Sequence, residues 1–527
     1  MLQGTDDQTA VVALLSRAGT YGERGTVQRI DSHISHLFLI GEHAFKLKRA
    51  VRLPYLDFTG VDNRRRYCEV EVTVNRRTAP EIYLGLAPLL QGADGASVLG
   101  AVVEPGDAGA VEGACDWVVV MRRFDQDCLF DAMARTGTLT PPLVARLATV
   151  IARFHDGAAV AGGFGGGGAM ARVIADGTEL IRCFVPQVFD AEHVEDFTAR
   201  IADALDGAGP LLDARRGAGM VRHCHGDLHL RNICLIDGQP TPFDAIEFSD
   251  EIAHIDVLYD LAFLLMDLQH RGHRGLANIA LNKYLDMWGD YGGLGAMGLF
   301  LSCRAAVRAH VEALQTVPGA GDNTFAVGEA RAYLELAISY LDPPAPRLVA
   351  LGGLSGTGKS VLAEALAPDF GPRSGAVVIR SDVIRKQLAG VAPDSRLGPE
   401  TYDDEMNRKV YERMCRVAGD VLGAGFSVIV DAVHARATER DAIARAAGLS
   451  GATFDGLWLA APDAVRIVRV RDRRGDASDA TAGIATSQAE YDVGDVFWHR
   501  IDAAGAVTSV SAMGRKVLNL GKKSLIL

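Results

Sequence analysis

The chain has 527 residues, 48% of them hydrophobic and 23% charged, and carries a formal net charge of −12. That length exceeds one ordinary core, so two or three domains of a soluble globular protein are expected. The acidic balance argues against broad nucleic-acid affinity and leaves room only for a local basic groove.

Eight cysteines stand singly with no CxxC pair, which reads as reduced thiols. The first residues are acidic and polar rather than a signal sequence, and no apolar run is long enough to span a bilayer, so a cytoplasmic location is expected. In chain order, residues 25–48 alternate like strands, and Ala44-Phe45-Lys46-Leu47-Lys48-Arg49 sets Lys46 and Lys48 on one face. Residues 61–79 have helical spacing and contain Glu69 and Glu71, and residues 115–124 read as a buried strand entering a turn. Helical patterns dominate from about residue 140. The glycine run 162–168 lacks a feeding strand and reads as a flexible connecting loop rather than a phosphate loop.

The segment His223-Cys224-His225-Gly226-Asp227-Leu228-His229-Leu230-Arg231-Asn232 has an Asp followed five residues later by Asn, the arrangement of a kinase catalytic loop. Asp227 is placed to accept a hydroxyl proton and Asn232 to hold magnesium. Asp244, on the short apolar strand Thr241-Pro242-Phe243-Asp244, stands where a second metal carboxylate belongs.

With those residues in order, positions from about 30 to 320 resemble the aminoglycoside phosphotransferase and choline kinase group, relatives of the protein-kinase fold. The resemblance implies that Asp260 in Leu258-Tyr259-Asp260-Leu261 braces the catalytic loop. It also implies a small-lobe lysine for the nucleotide, Lys46 in preference to Lys48, with Glu69 or Glu71 as its partner. Ser32-His33-Ile34-Ser35-His36 occupies the place of the usual glycine-rich loop. Arg304 and Arg308, one turn apart, read more readily as a surface ion-pair ladder with Glu312 than as an anion site.

Pro343-Pro344-Ala345-Pro346 ends the helical region. The reading is therefore a kinase-like half over 1–342, with a small lobe over about 1–124, a proline linker at 343–346, and an α/β half over 347–527 with a parallel sheet. That second half opens on an apolar strand and Gly353-Leu354-Ser355-Gly356-Thr357-Gly358-Lys359-Ser360, followed by a helix. This is a complete phosphate-binding loop. Its glycines let backbone N–H groups curl around phosphate, Lys359 reaches the terminal phosphates, and Ser360 meets magnesium.

Further on, Val377-Val378-Ile379-Arg380-Ser381-Asp382 delivers Asp382 to the carboxyl edge of the sheet, as a proton acceptor or as a helix cap, with Arg385 one turn later for an anionic group. Asp431 ends the strand Ser427-Val428-Ile429-Val430 and reads as a magnesium-shell carboxylate. Arg469 and Arg473 share a face of a basic helix and read as lid arginines. The Ser-Asp-x-x-Arg segment and the phosphate loop resemble those of small P-loop kinases such as gluconate kinase, the zeta-toxin kinases and polynucleotide kinase. The tandem of both halves resembles bacterial two-domain predicted kinases. An ATP- and Mg²⁺-dependent phosphotransferase acting on a small hydroxylated molecule is expected. A kinase of nucleic-acid ends or nucleotide sugars, and a nucleotide-driven switch, are the alternatives.

Overall fold

The computed structural model describes residues 3–4, 7–53, 56–91, 97–316, 324–392, 395–472, 478, 483, 486, 488 and 491–520. They divide into two compact units, residues 1–165 with 216–261 and residues 166–215 with 262–527.

In the first unit, the alternating segment becomes strands β1 (Gln28–Asp31), β2 (Ser35–Ile40) and β3 (His43–Lys48). With β4 (Tyr83–Gln91), β5 (Ser97–Leu99) and β6 (Ala114–Arg122) they form a six-stranded antiparallel sheet in the order β1-β2-β3-β6-β4-β5. Side chains of β6 point alternately to two faces. Trp117, Val119 and Met121 meet Cys68 and Val72 of helix α1 (Val61–Asn75), while Val118 and Val120 meet Phe38, Phe45 and Leu47. Both faces are covered, which is why residues 116–121 form an unbroken buried run. Helix α2 (Pro141–Gly157), the short strand β7 (Val221–His223) and the hairpin β8 (Ile233–Ile236) with β9 (Gln239–Pro242) follow, and β7 pairs antiparallel with β10 (His254–Asp256).

The second unit holds a five-stranded parallel sheet. Its strands are β11 (Arg347–Gly352), β12 (Val377–Arg380), β13 (Val428–Asp431), β14 (Thr453–Ala460) and β15 (His499–Asp502). They run in the order β12-β13-β11-β14-β15. Leu348 to Leu351 are fully buried, as expected of a parallel strand covered on both faces. Gly166, Gly167 and Gly168 are not loop residues. They open helix α3 (Gly166–Arg182), where the Gly167 N–H is held by Asp213 Oδ1 at 3.1 Å. The Arg304–Glu312 segment is not a surface ladder either. Arg304 and Glu312 are buried, Arg308 pairs with Glu312, and the Arg304 guanidinium lies 4.6 Å from the Phe263 ring.

The division into units does not follow the proline segment 343–346, and one helix makes part of the connection across it. Helix α4 (Arg274–Trp288) hydrogen-bonds the outer edge of β12. Asn282 accepts from the Val378 N–H at 2.7 Å, and its amide donates to the Ala376 carbonyl at 3.1 Å. Asn278 donates to the Ser374 and Ala376 carbonyls at 2.8 and 3.0 Å, and Arg274 holds the carbonyls of Pro372 and Arg373. Two asparagines four residues apart thus close a sheet edge that would otherwise present free backbone groups. Asn282→Leu is expected to cost about 1–3 kcal/mol by leaving the Val378 N–H unpaired, measurable by urea unfolding.

Candidate functional site

In the first unit, Gly226 has φ 84°, and a Cβ there would lie 2.9 Å from Ile246 and 3.0 Å from the Ile252 carbonyl. The His-Gly-Asp turn therefore needs glycine. Asp260, fully buried, accepts from the His225 N–H at 3.0 Å and the Gly226 N–H at 2.9 Å, and lies 3.1 Å from His155 Nε2. It braces the loop from beneath. His225 Nε2 meets the Phe243 carbonyl at 2.9 Å and its Nδ1 accepts from the Asp227 N–H at 3.3 Å, so the ring ties the His-Gly-Asp turn to the segment after β9 that carries Asp244. Burial pushes the His225 ring below its usual range, keeping it neutral for that role.

Asn232 Nδ2 donates to Asp227 Oδ2 at 2.8 Å and to the Asp227 carbonyl at 3.0 Å, while the Phe243 N–H donates to the Asn232 carbonyl at 2.9 Å. Asp227, Asn232 and Asp244 are thereby gathered at one place. Asp244 has φ 62°, a costly conformation for a non-glycine residue, and is held there by Tyr83 Oη and Lys46.

Of the two candidate partners for the small-lobe lysine, the structure joins it to Glu71 and not to Glu69. Glu69 pairs with Arg65 at 3.1 Å on the outer side of α1, while the partner of the lysines is Glu71. Glu71 lies on the buried stripe with Cys68, Val72 and Asn75, whereas position 69 turns away from it. Both lysines use it: Lys46 Nζ reaches Glu71 Oε1 and Asp244 Oδ1, each at 2.7 Å, and Lys48 Nζ reaches Glu71 Oε2 at 2.6 Å and pairs with Glu247. Burial would raise the Glu71 carboxyl, but the two ammonium groups outweigh it and bring it down to about 2. Burial pushes Glu247 up. Lys48 and Glu247 were not assigned from sequence as a pair. Their only sequence signals are two lysines on one strand face and a second acid three residues after Asp244.

In the second unit, Gly356 has φ 86°, and a Cβ there would lie 2.5 Å from the Arg466 carbonyl, so the phosphate loop is pressed against helix α5 (Asp463–Asp472). The Ser355 N–H donates to Gln488 Oε1 at 2.7 Å, and Thr357 Oγ1 donates to the Leu354 carbonyl at 2.9 Å. Lys359 Nζ donates to the Gly353 carbonyl at 2.7 Å and to the Leu354 carbonyl at 3.3 Å. Ser360 Oγ donates to Asp431 Oδ2 at 2.6 Å, and Arg380 Nε stands 3.8 Å from the same oxygen. A hydroxyl and a carboxylate so joined at the head of the loop fit a magnesium shell.

Asp382 lies in the first turn of a helix whose N-cap is Arg380, so it is not itself the cap residue. Burial pushes its carboxyl above the usual range; a hydrogen bond with Ser478 opposes this and neighbouring Asp431 adds to it. Two expected anion-binding arms are engaged elsewhere. Arg385 bonds the Thr401 carbonyl and Asn407 Oδ1, both at 2.8 Å, and stacks on Tyr402. Arg469 donates to the carbonyls of Ala503, Ala504 and Gly505 at 2.8–3.3 Å, contacts that a lid movement would have to break. It still lies 3.9 Å from where a Cβ on Gly358 would stand, beside the loop. Arg473 falls outside the described residues. Among the described residues, no helix is long and apolar enough to cross a membrane.

A family model described as an AAA domain matches residues 348–491. Among solved structures, a choline/ethanolamine kinase family protein from Mesorhizobium loti is 14% identical, covering 64% of this chain and 98% of that one at a TM-score of 0.37. A gluconokinase from Sinorhizobium meliloti is 21% identical, covering 34% of this chain and 98% of that one at a TM-score of 0.24. The uncharacterized protein Rv2004c of Mycobacterium tuberculosis is 31% identical over 489 residues, 90% of this chain and 92% of the relative, and Mb2027c of Mycobacterium bovis matches to the same extent. Aligned over nearly its whole length at that identity, the chain belongs to the family of the mycobacterial protein Rv2004c.

Proposed function

We propose that the protein is an ATP- and magnesium-dependent phosphotransferase acting on a small hydroxylated molecule, with its principal centre at the phosphate loop. The observation that carries this reading is the placement of Asp382. It is a half-buried carboxylate, delivered at the end of the strand next to the one ending in Asp431, close enough to Asp431 and Arg380 for their charges to act on it. Magnesium-bound ATP, when present, supplies the phosphoryl group and neutralises its charge. Ser360 and Asp431 would hold the metal, and Lys359 would exchange its own loop's carbonyls for the terminal phosphates. Asp382 accepts the acceptor hydroxyl's proton, at a position where burial favours the protonated form and so strengthens the carboxylate as a base.

The gathering of Asp227, Asn232, Asp244 and the Lys46–Glu71 pair supports a second phosphotransferase site of the same chemical class in the first unit. Arg385 and Arg469, both engaged by protein acceptors, give little support to a nucleic-acid groove. Labelled ATP incubated with a metabolite pool tests the proposal on the intact protein, Lys359→Ala and Asp227→Ala. Lys359→Ala is expected to abolish the principal product. Loss in Asp227→Ala alone would move the centre to the first unit, and ATP consumption without any labelled product would leave a nucleotide-driven switch.

A further inference from the structure

His434, three residues beyond Asp431, combines two costly features. It has φ 51°, in the left-handed region, and its side chain is 1% exposed with neither ring nitrogen bonded to any described residue. Buried polar groups are almost always paired, and an imidazole left without partners in an apolar setting costs free energy on folding. The surrounding structure nevertheless fixes the residue. Its N–H donates to Tyr411 Oη at 3.0 Å, and its carbonyl accepts from Arg440 at 3.0 Å. The ring packs edge-on against Tyr411 and Trp498, with centroids 5.5 and 5.3 Å away. The preceding carbonyl, of Val433, accepts from the Gly353 N–H at 3.1 Å, so the segment is attached to the first glycine of the phosphate loop. Burial, with the charges of Lys359 and Arg440, pushes the imidazole down to about 3, so it is neutral and carries one N–H donor. Strain and an unmet donor held at one position beside a ligand loop mark a functional group rather than a packing residue.

We propose that His434 reads the terminal phosphate at the phosphate-loop site: its ring N–H donates to an oxygen of the terminal phosphoryl group of a bound nucleoside triphosphate, an acceptor that no described residue offers. This assignment rests on the nucleotide-binding reading of the loop. The terminal phosphate, rather than the acceptor molecule, is the partner because Gly353 joins the two residues: its N–H bonds the Val433 carbonyl next to His434, and its own carbonyl accepts from Lys359, the side chain that draws in that phosphate. The diphosphate product lacks this group, so the contact distinguishes the nucleotide before transfer from the nucleotide after it.

Calorimetric binding of ADP and of the slowly hydrolysed ATPγS to the full-length protein, in magnesium, tests this. His434→Ala is expected to weaken ATPγS binding roughly tenfold or more while leaving ADP binding unchanged. His434→Asn, which tolerates positive φ and keeps an N–H donor, is expected to retain most of the preference. Equal weakening for both nucleotides in His434→Ala, or unchanged ATPγS affinity, overturns the assignment. Should His434→Ala not fold, the ring-nitrogen resonances of ¹⁵N-histidine-labelled wild type decide. ATPγS and not ADP must shift the one neutral ring assigned to position 434, and a ring indifferent to both overturns the proposal. Wild type that binds neither nucleotide refutes the phosphate-loop reading itself, and this inference with it.

Discussion

Asp382→Asn is expected to lower phosphoryl transfer at the phosphate loop by roughly 10²–10⁴-fold while leaving ATP binding intact. Asparagine keeps the shape and can still bond Ser478, but it cannot take a proton. The carboxylate it replaces is half-buried: loss of water makes its negative charge hard to hold, and the Asp431 carboxylate adds to the difficulty. Such a group has a strong tendency to bind a proton, which is what deprotonation of an alcohol requires. Single-turnover measurement with the acceptor found in the labelling screen, alongside calorimetric ATP binding, separates the two effects. Transfer within a few-fold of wild type would remove Asp382 from the chemistry. Equal loss of ATP binding would make it a structural residue of the helix that follows the edge strand.

Glu71→Ala has the second large effect, an expected loss of about 3–5 kcal/mol, because it leaves Lys46 and Lys48 buried without their shared carboxylate. Its pH signature follows from the depressed carboxyl. The Glu71 contribution is present above its ordinary value of 4.5 and is lost as pH falls toward about 2. Glu247, displaced upward, acts in the opposite sense, taking up a proton more readily in the folded protein. Wild type should therefore lose stability in the first unit through that acid window, and Glu71→Gln should show a flatter profile. Hydrogen exchange of α1 amides as a function of pH reads this locally. An α1 whose protection is the same in wild type and Glu71→Gln across the window would show that the two lysines find other counter-charges.

The phosphate loop was legible because its chemistry resides in backbone geometry, and glycine spacing reports backbone geometry directly. Asp227, Asn232 and Asp244 were legible for a related reason: one loop and the hairpin after it bring them together within eighteen positions of sequence. The sequence does not choose between Glu69 and Glu71, because position on a helix face decides it; the i,i+4 spacing from Arg65 to Glu69 was the clue that Glu69 was already matched. Arg469 in a run of arginines carries no mark of the three carbonyls that hold it. His434 belongs to no motif; its left-handed backbone, its burial and the lack of a ring partner among the described residues single it out. Asn278 and Asn282 look like ordinary polar residues on a helix, and nothing in their spacing announces that they finish another half's sheet.

Those two asparagines have a practical corollary. A fragment cut at the prolines, beginning near residue 347, would keep every phosphate-loop residue and lose α4, baring the Val378 amide and Ala376 carbonyl to any passing chain. Recombinant preparations of that half alone should clump, and poor yield from such a fragment would say nothing about whether the intact protein works.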